Sequence, residues 1–337
     1  MHFLITGHTG FKGAWLTLLL IERGHEVSGI SLEPDSASLY SSANIGNKLN
    51  HDIRSDIRDL ANLKSHFATI KPDVVIHLAA QALVRESYKY PISTFETNVI
   101  GTINVLQASQ SISQLQAQLI ITTDKVYKNL KKSTGYGESE PLGGWDPYSA
   151  SKAAADIATQ SWLSCFVNAP TAIARAGNVI GGGDISADRL IPDLVNSYIS
   201  SQTPRLRAPN SVRPWQHVLD CLNGYLLLLD SVLNGNANGA WNFGPIESQS
   251  RTVADVANIA GSLWGVKENW IIDEGIHPHE ADLLVLNSEK ARTELGWADK
   301  LTFEENVKWT ISWYKNVHGG SSPLQETLRN IRDFETR

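Results

Sequence analysis

Cysteine is scarce in this chain of 337 residues. The two cysteines, Cys165 and Cys221, lie far apart and show no CxxC spacing. Disulfide-stapled folds and thiolate metal sites need more cysteines, and they need them closer together. The scarcity argues against both and favours a reducing compartment, the cytoplasm.

Long runs of one residue type are also missing. No block of lysine and arginine interrupts a sequence whose net charge is -6, so we expect no nucleic-acid partner. No apolar run reaches the ~18 residues of a membrane span, and Met1 leads directly into strand-like residues without room for a signal peptide. These features predict a cytoplasmic protein with no membrane partner.

The chain does contain enough apolar sequence for a large core, since 42% of its residues are hydrophobic. Strand-like runs alternate with helical stretches, which predicts an α/β fold, a Rossmann-type doubly wound parallel sheet with a smaller C-terminal substrate domain. The expected ranges are 1–178 for the NAD-binding Rossmann domain, with segments around 215–245 returning to it, 179–316 for the smaller domain, and 317–337 for a polar tail.

The chain opens with the pattern of a nucleotide-binding unit. His2–Thr6 predicts a short buried strand, and the apolar stretch AWLTLLLIERG predicts a helix. Between them, glycines in GxxGxxG spacing permit a tight turn, and the helix N-terminus presents N–H groups to a pyrophosphate. A purely structural turn is the alternative, which the position between strand and helix disfavours. The candidate cofactor-binding residues here are Gly7, Thr9, Gly10, Phe11, Lys12 and Gly13.

The second strand bears on the choice of cofactor. Glu33 has the spacing expected of an acid that binds the ribose of NAD, but the strand is expected to end near Ser31, so a solvated loop position stays open. No arginine lies between Arg23 and Arg54 to receive a 2′-phosphate, which favours NAD over NADP.

Later strand ends supply further cofactor candidates. Asp56 and Ile57 are expected against the adenine, with helix capping as the alternative role of an aspartate, which Asp59 is expected to fill. The strand 73–77 runs into small residues that would let a dinucleotide lie close to the backbone. The candidates from this and the following segments are Leu78, Ala79, Ala80, Gln81 and Asn98.

Residues 119–152 carry the expected chemistry. The apolar run LIITT ends in polar residues, namely Thr122, Thr123, Asp124 and Lys125. The segment DPYSASK then places Tyr148 and Lys152 on one helix face, so the ammonium can stabilise a phenolate that takes a proton from an alcohol. The spacing YxxxK alone is common on ordinary amphipathic helices, and the surrounding pattern gives it weight.

A second group of polar residues follows the strand 172–176. Arg207, Arg213 and His217 stand in loop-like sequence and could face a diphosphate, since arginine suits that bidentate task. The segment His277–Glu280 contains metal-type ligands, but no third ligand has metal-site spacing, so we expect no metal.

A set of motifs, in this order along the chain, resembles the extended short-chain dehydrogenase/reductases that act on nucleotide-sugars, and among them the 4,6-dehydratases whose substrate is CDP-glucose. The motifs are TGHTGFKGAWL, HLAAQALVRESY, TTDKVY, GGWDPYSASKAA, RAGNVIGGGD, DRLIPD, RPWQHVLD, WNFGP and HPHEADLL. The segment NLKKSTGYGE lacks the tryptophan that this family usually carries there, and Ala82 replaces its usual proline.

The resemblance implies roles for particular residues. Thr123, Tyr148 and Lys152 match the family's hydroxyl–tyrosine–lysine triad, and Asp124 and Lys125 match its dehydration pair. The resemblance also implies that NAD is the cofactor, with Thr122 and Arg175 near it, and that the protein forms a homodimer through helices of the Rossmann domain. The implied substrate-binding residues are Arg85, Asn178, Arg189, Arg207, Arg213, His217, His279 and Glu280.

The expected reaction is an internal redox dehydration. Tyr148 deprotonates the sugar 4-hydroxyl, Lys125 acts at the C5 proton as a base or as a stabilising cation, and Asp124 protonates the departing 6-hydroxyl. These roles predict a lowered pKa for Lys125 and a raised pKa for Asp124. The alternatives are a surface Asp–Lys ion pair, a 4-epimerase that needs only the triad, a dehydratase of another nucleotide-sugar, and an idle NAD-binding module.

Overall fold

The computed structural model describes residues 1–130, 132, 134–166, 169–246, 250–266, 270–275 and 285–337. In this part of the chain, one parallel sheet has seven strands, which are β1 (His2–Thr6), β2 (Glu26–Ser31), β3 (Asp52–Arg54), β4 (Val74–His77), β5 (Ala117–Thr123), β6 (Thr171–Ala176) and β11 (Gly239–Phe243). Apolar, fully buried runs such as β4 and β5 suit a sheet that is covered on both faces.

The strand order is β11-β6-β5-β4-β1-β2-β3. The order reverses between β1 and β4, and in open α/β sheets the ligand crevice lies at the carboxyl ends of the strands at such a point. The predicted Rossmann-type fold class is confirmed.

Helices cover both faces of this sheet. On one face Trp15 and Leu222 belong to the main core, and on the other face Leu63, Phe67 and Val105 form a second core. The helices in these layers are α1 (Phe11–Glu22), α2 (Leu39–Ser42), α3 (Leu60–Ile70), α4 (Val84–Lys89), α5 (Pro91–Phe95), α6 (Gly101–Ser109), α7 (Pro147–Cys165) and α9 (Val218–Leu233), with a π-helical turn at Glu96–Ile100 and 3₁₀ turns at Ile45–Lys48 and Asp124–Val126.

The helix caps follow local sequence. Asp59 precedes α3 and its carboxylate accepts the N–H of Asn62 at 3.0 Å, which is the capping role expected of it. Asp146 does the same for α7, accepting the N–H of Ser149 at 3.0 Å, with Pro147 at the first helical position. This cap fixes where α7 begins and therefore where Tyr148 stands.

A smaller layer of elements follows β6 and packs around its own core, which includes Leu194, Val256 and Ile311. Its members are β7 (Val179–Ile180), β8 (Arg205–Leu206), β9 (Val212–Pro214), β10 (Gln216–His217), β12 (Ser250–Thr252), β13 (Ile271–Ile272), α8 (Leu190–Ile199), α10 (Val253–Trp264) and α12 (Phe303–His318). The helix α11 (Glu289–Leu295) packs instead against α9 and β11, beside the main sheet. Within the described ranges, no helix is long and apolar enough to cross a membrane.

The last segment differs from the polar tail that the sequence suggested. It folds as α13 (Pro323–Glu335), which packs against α1 and α2. Leu328, Ile331 and Phe334 are buried in the main core at a spacing of three residues, which gives an otherwise polar helix one apolar face. Residues 323–335 are therefore part of the folded body.

Candidate active site

A cleft of about 1960 Å³ opens at the carboxyl ends of β1, β4, β5 and β6, and the smaller layer closes its other side. Typical small-ligand pockets have roughly 300–1,000 Å³, so this cleft has room for a dinucleotide and a second ligand. Most of the site residues expected from the sequence line it. They are Gly7, Thr9, Gly10, Phe11, Lys12, Gly13, Asp56, Ile57, Leu78, Ala79, Ala80, Gln81, Arg85, Thr122, Thr123, Asp124, Lys125, Tyr148, Lys152, Asn178, Arg189, Arg207 and Arg213.

The glycine loop is tightly constrained. Gly7 has a positive φ of 79°, and a Cβ added there would lie 2.6 Å from the backbone nitrogen of Ala79. A Cβ on Gly13 would lie 2.1 Å from the carbonyl oxygen of Gly7. Gly10 caps α1 without a side-chain bond, so the first-turn N–H groups of that helix face the cleft. Such a cradle fits the pyrophosphate of a dinucleotide.

The end of β5 and the start of α7 bring three polar side chains together. The Thr123 hydroxyl donates to Asp124 Oδ1 at 2.9 Å. The Tyr148 phenol lies near the same hydroxyl. Thr123 therefore stands between a carboxyl group and a phenol at one edge of the sheet.

Asp124 is 4% exposed, and this burial raises the pKa of its carboxyl group. The charges of Lys125 and Arg213 and the bond from Thr123 oppose the shift without reversing it. A buried acid with a raised pKa keeps its proton at higher pH than a surface aspartate. The surface ion pair that was the alternative for Asp124 and Lys125 is therefore not what the structure has, since Asp124 is buried.

Burial shifts the pKa values of both Lys152 and Tyr148. The Lys152 ammonium donates to the carbonyl oxygen of Ile121 at 2.7 Å. Burial lowers the pKa of Lys152 to about 8, although Asp156 opposes the shift. Burial likewise raises the pKa of Tyr148 to about 12. Burial therefore favours the neutral phenol over the phenolate.

Arg175 does not line the cleft, which corrects its expected place beside the cofactor. Its guanidinium makes two bonds of 2.8 Å to the carboxylate of Asp156 and one of 2.8 Å to the Tyr127 hydroxyl. The side chain is 1% exposed, and a charge buried so deeply must be paired. Asp156 also accepts a hydrogen bond from the Thr122 hydroxyl, so this ion pair holds the end of β5 against α7.

Asn98 also lies outside the cleft, so direct contact with a cofactor is corrected to an indirect role. Its carboxamide accepts the N–H of Gln81 at 2.9 Å and donates to the Gln81 carbonyl at 3.0 Å and to Ser151 at 2.9 Å. It therefore joins the loop after β4 to α7. Gln81 is itself a predicted site residue and Ser151 precedes Lys152, so Asn98 fixes the separation of two parts of the site.

His217 is buried behind the cleft, which corrects its expected role at a diphosphate. Its ring lies edge-on to Trp15 and Trp309, and its Nδ1 accepts the N–H of Leu219 as the cap of α9. Burial lowers the pKa of the ring to about 3, so the imidazole is neutral and offers no cation to a phosphate.

Three of the arginines that face the cleft, Arg85, Arg189 and Arg207, are paired with acids. Asp188 Oδ1 lies 3.1 Å from Arg85 Nη1 and 2.9 Å from Arg207 Nη1. Arg189 bonds to Asp184 at 2.9 Å. Sequence reasoning missed both acids, because a DR dipeptide gives no sign that its aspartate joins two arginines from distant segments.

The far end of the cleft has the expected residues but not all of the expected contacts. Asp56 lines the cleft, and its carboxylate is bonded by Arg58 at 2.6 Å. Glu33 does not line it and pairs instead with Arg54 at 3.4 Å on the surface. The solvated-loop interpretation of Glu33 is therefore correct, and Ser31 lines the cleft instead.

Trp145 lines the cleft and is 90% exposed, and its position directly before the cap of α7 is the signal that sequence reasoning passed over.

His279 and Glu280 lie outside the described residues, as does the segment HPHE. Among the described residues, no group of three or more His, Cys, Asp or Glu side chains could hold a metal ion.

The fold and the cleft are those of the extended short-chain dehydrogenase/reductases, a class defined by a Rossmann sheet with a glycine loop and a YxxxK helix. The sequence profile of the GDP-mannose 4,6 dehydratase family matches residues 4–310, and the chain belongs to this family. The resemblance drawn from the motifs is confirmed.

Relatives and solved structures agree with this assignment. The chain is 40% identical over 341 residues to the CDP-glucose 4,6-dehydratase of Salmonella typhimurium, with 98% of this chain and 95% of that protein covered. The dTDP-glucose 4,6-dehydratase DesIV of Streptomyces venezuelae, solved with NAD and TYD bound, has a TM-score of 0.80 and 25% identity, covering 96% of this chain and 100% of that chain. A UDP-glucose-4-epimerase of Stenotrophomonas maltophila has a TM-score of 0.83 at 20% identity, covering 95% of this chain and 100% of that chain, and this likeness shows the fold alone.

Proposed function

We propose that this protein is an NAD-dependent hydro-lyase that converts CDP-glucose to CDP-4-keto-6-deoxyglucose and water. The observation that carries the proposal is the buried acid Asp124, which is hydrogen-bonded by the Thr123 hydroxyl close to the Tyr148 phenol, at one end of a cleft with room for two ligands. The 40% identity to the Salmonella enzyme supports cytosine as the base of the nucleotide.

NAD fits the glycine cradle and the small residues after β4. Gly7, Gly10 and Gly13 would hold the pyrophosphate, and Leu78 and Ala79 would let the dinucleotide lie against the backbone. Bound NAD would supply reversible storage for the hydride that is taken from C4 and returned to C6 after water has left, so the overall dehydration is redox-neutral. The positive charge of the oxidised cofactor would also lower the raised pKa of Tyr148 towards that of a working base.

The proton steps belong to residues at the end of β5 and the start of α7. Tyr148 takes the proton of the sugar 4-hydroxyl, while Thr123 hydrogen-bonds the same oxygen. The 4-ketone acidifies the C5 proton, and Lys125 removes it or stabilises the enolate. Asp124 gives its proton to the departing 6-hydroxyl, and water leaves. The raised pKa of Asp124 suits an acid that must hold a proton until this step.

A nucleotide-sugar 4-epimerase is the nearest alternative activity. An epimerase would use Thr123, Tyr148 and Lys152 and would have no use for a protonated Asp124 in the same cleft. The burial of Asp124 therefore favours the dehydratase. An NAD-binding module without catalysis is disfavoured by the same group, since a sensor needs neither the acid nor the phenol.

The test of the function is incubation of the NAD-loaded protein with CDP-, UDP-, GDP- and dTDP-glucose, followed by mass spectrometry. CDP-glucose is expected to lose one water and to do so with the highest kcat/KM. Loss of water from another nucleotide-sugar alone would correct the base, and inversion without water loss would favour the epimerase.

We also propose a cytoplasmic location and a homodimer. Both cysteines carry free thiols, which fits a reducing compartment. Ile92, Phe95 and Ile100 on the α5–α6 segment and Ile157 on the adjacent α7 are large apolar side chains exposed by 39–75%. Apolar side chains concentrated on neighbouring helices are typical of a subunit interface.

Replacing both Ile92 and Ile157 by aspartate is expected to convert a dimer to a monomer in analytical ultracentrifugation, because each subunit would bring two charges into an apolar contact. Ile272→Asp changes an isoleucine that is 57% exposed in β13 and serves as the control. A wild-type protein that sediments as a monomer at micromolar concentration would refute the interface.

A further inference from the structure

The Asp188 carboxylate joins opposite walls of the cleft. Arg85 comes from α4, above the main sheet, and Arg207 follows β8 in the smaller layer. Asp188 Oδ1 bonds to both guanidinium groups, at 3.1 and 2.9 Å. Arg207 Nη2 also donates to the Asp188 carbonyl oxygen at 3.1 Å. One carboxylate is therefore paired with two guanidinium groups that face the cleft.

The backbone at Asp188 is held in an uncommon conformation. Its φ is 64°, in the left-handed region, which aspartate and asparagine tolerate better than most residues. The side chain is 45% exposed, so water can solvate the carboxylate if it leaves the arginines. The residue can thus exchange one set of partners for another at moderate cost.

We propose that Asp188 is an internal counter-anion of the substrate diphosphate site, which holds Arg85 and Arg207 until a nucleoside diphosphate displaces it. The proposal rests on the proposed function for the identity of the ligand class. Asp188 then sets the affinity for the diphosphate group without contacting the base. A ligand without that group cannot displace the carboxylate, and Asp188 is thereby a determinant of specificity.

Titration calorimetry on the NAD-loaded protein tests this role. Asp188→Asn keeps the shape and the tolerance for positive φ but removes the charge. It is expected to tighten the Kd of CDP about two- to ten-fold, the range that two partly exposed ion pairs allow. Asp188→Gly, which also accepts the backbone conformation, should tighten it by a similar factor and covers the case in which the asparagine variant does not fold. Asp333→Asn on the surface of α13 removes the same charge elsewhere and controls for net charge.

Three comparisons separate the outcomes. The Kd values of UDP and dTDP should tighten by the same factor as that of CDP, because Asp188 acts on the diphosphate. This result would therefore hold even if the assigned base were wrong. Cytidine, which has no phosphate, should bind the wild type and the Asp188 variants with the same Kd. An unchanged or weaker Kd for every nucleoside diphosphate in both Asp188 variants would overturn the proposal, whereas a wild-type protein that binds none of them would overturn the proposed function with it.

Discussion

Tyr148→Phe is expected to lower turnover of the nucleotide-sugar by about 10²–10⁴-fold, the usual contribution of a positioned acid or base. The phenol is the group that takes the 4-hydroxyl proton, and phenylalanine has no atom to replace it. Thr123 would keep its bond to Asp124, so the rest of the site should stay in place. The measurements are the steady-state rate and the near-UV absorbance of reduced nicotinamide, which should stay flat after substrate is added.

Tyr198→Phe is the matched control, since Tyr198 lies in the core of the smaller layer and does not line the cleft. The proposed chemistry fails if Tyr148→Phe turns over at the wild-type rate. A flat signal with an unchanged Kd for CDP would place the loss in the chemical step.

Asp124→Asn is expected to slow water loss by a similar factor, about 10²–10⁴-fold, and to spare oxidation at C4. An asparagine can still accept the bond from Thr123, but it has no proton to give to the departing 6-hydroxyl. A 4-keto sugar that keeps its 6-hydroxyl should therefore accumulate. Reductive quenching with labelled borohydride, followed by mass spectrometry, would measure the amount of this 4-keto intermediate.

Asp124→Glu restores a proton donor one methylene longer and should recover part of the water loss. If Asp124→Asn eliminates water as fast as the wild type does, the acid is another residue and the assignment is wrong. If oxidation and elimination fall together, Asp124 supports the position of Tyr148 through Thr123, and it is not the specific acid.

Local patterns were sufficient to predict much of the site. The glycine loop between β1 and α1 is a short-range feature, and so is the polar end of the apolar run at Thr123 and Asp124. Because parallel strands end at one edge of a sheet, these residues had to meet there. Tyr148 followed from the start of α7.

Features that depend on distant partners could not be predicted in the same way. Arg175 stands in a motif close to the site, but its side chain is held by Asp156, which comes from another element. The sequence shows that Asp188 is an acid, but its ion pairs with Arg85 and Arg207 could not be predicted, because these arginines lie far from it in the chain.

The C-terminal helix is a different case, because its signal was present in the sequence. Ser322 caps a helix that has Pro323 in its first turn, and the buried Leu328, Ile331 and Phe334 recur at helical spacing. The polar composition of the segment concealed that periodicity. Counting apolar positions by phase would have predicted the helix.

The late position of β11 has a consequence for synthesis on the ribosome. The sheet starts with the first residues of the chain but gains its last strand, beside β6, only at Gly239–Phe243. Until then a nascent chain would expose the unpaired edge of β6, where other chains can add by strand pairing. A recombinant fragment cut after residue 178 would keep that edge permanently, and it is expected to aggregate instead of behaving as an independent nucleotide-binding unit.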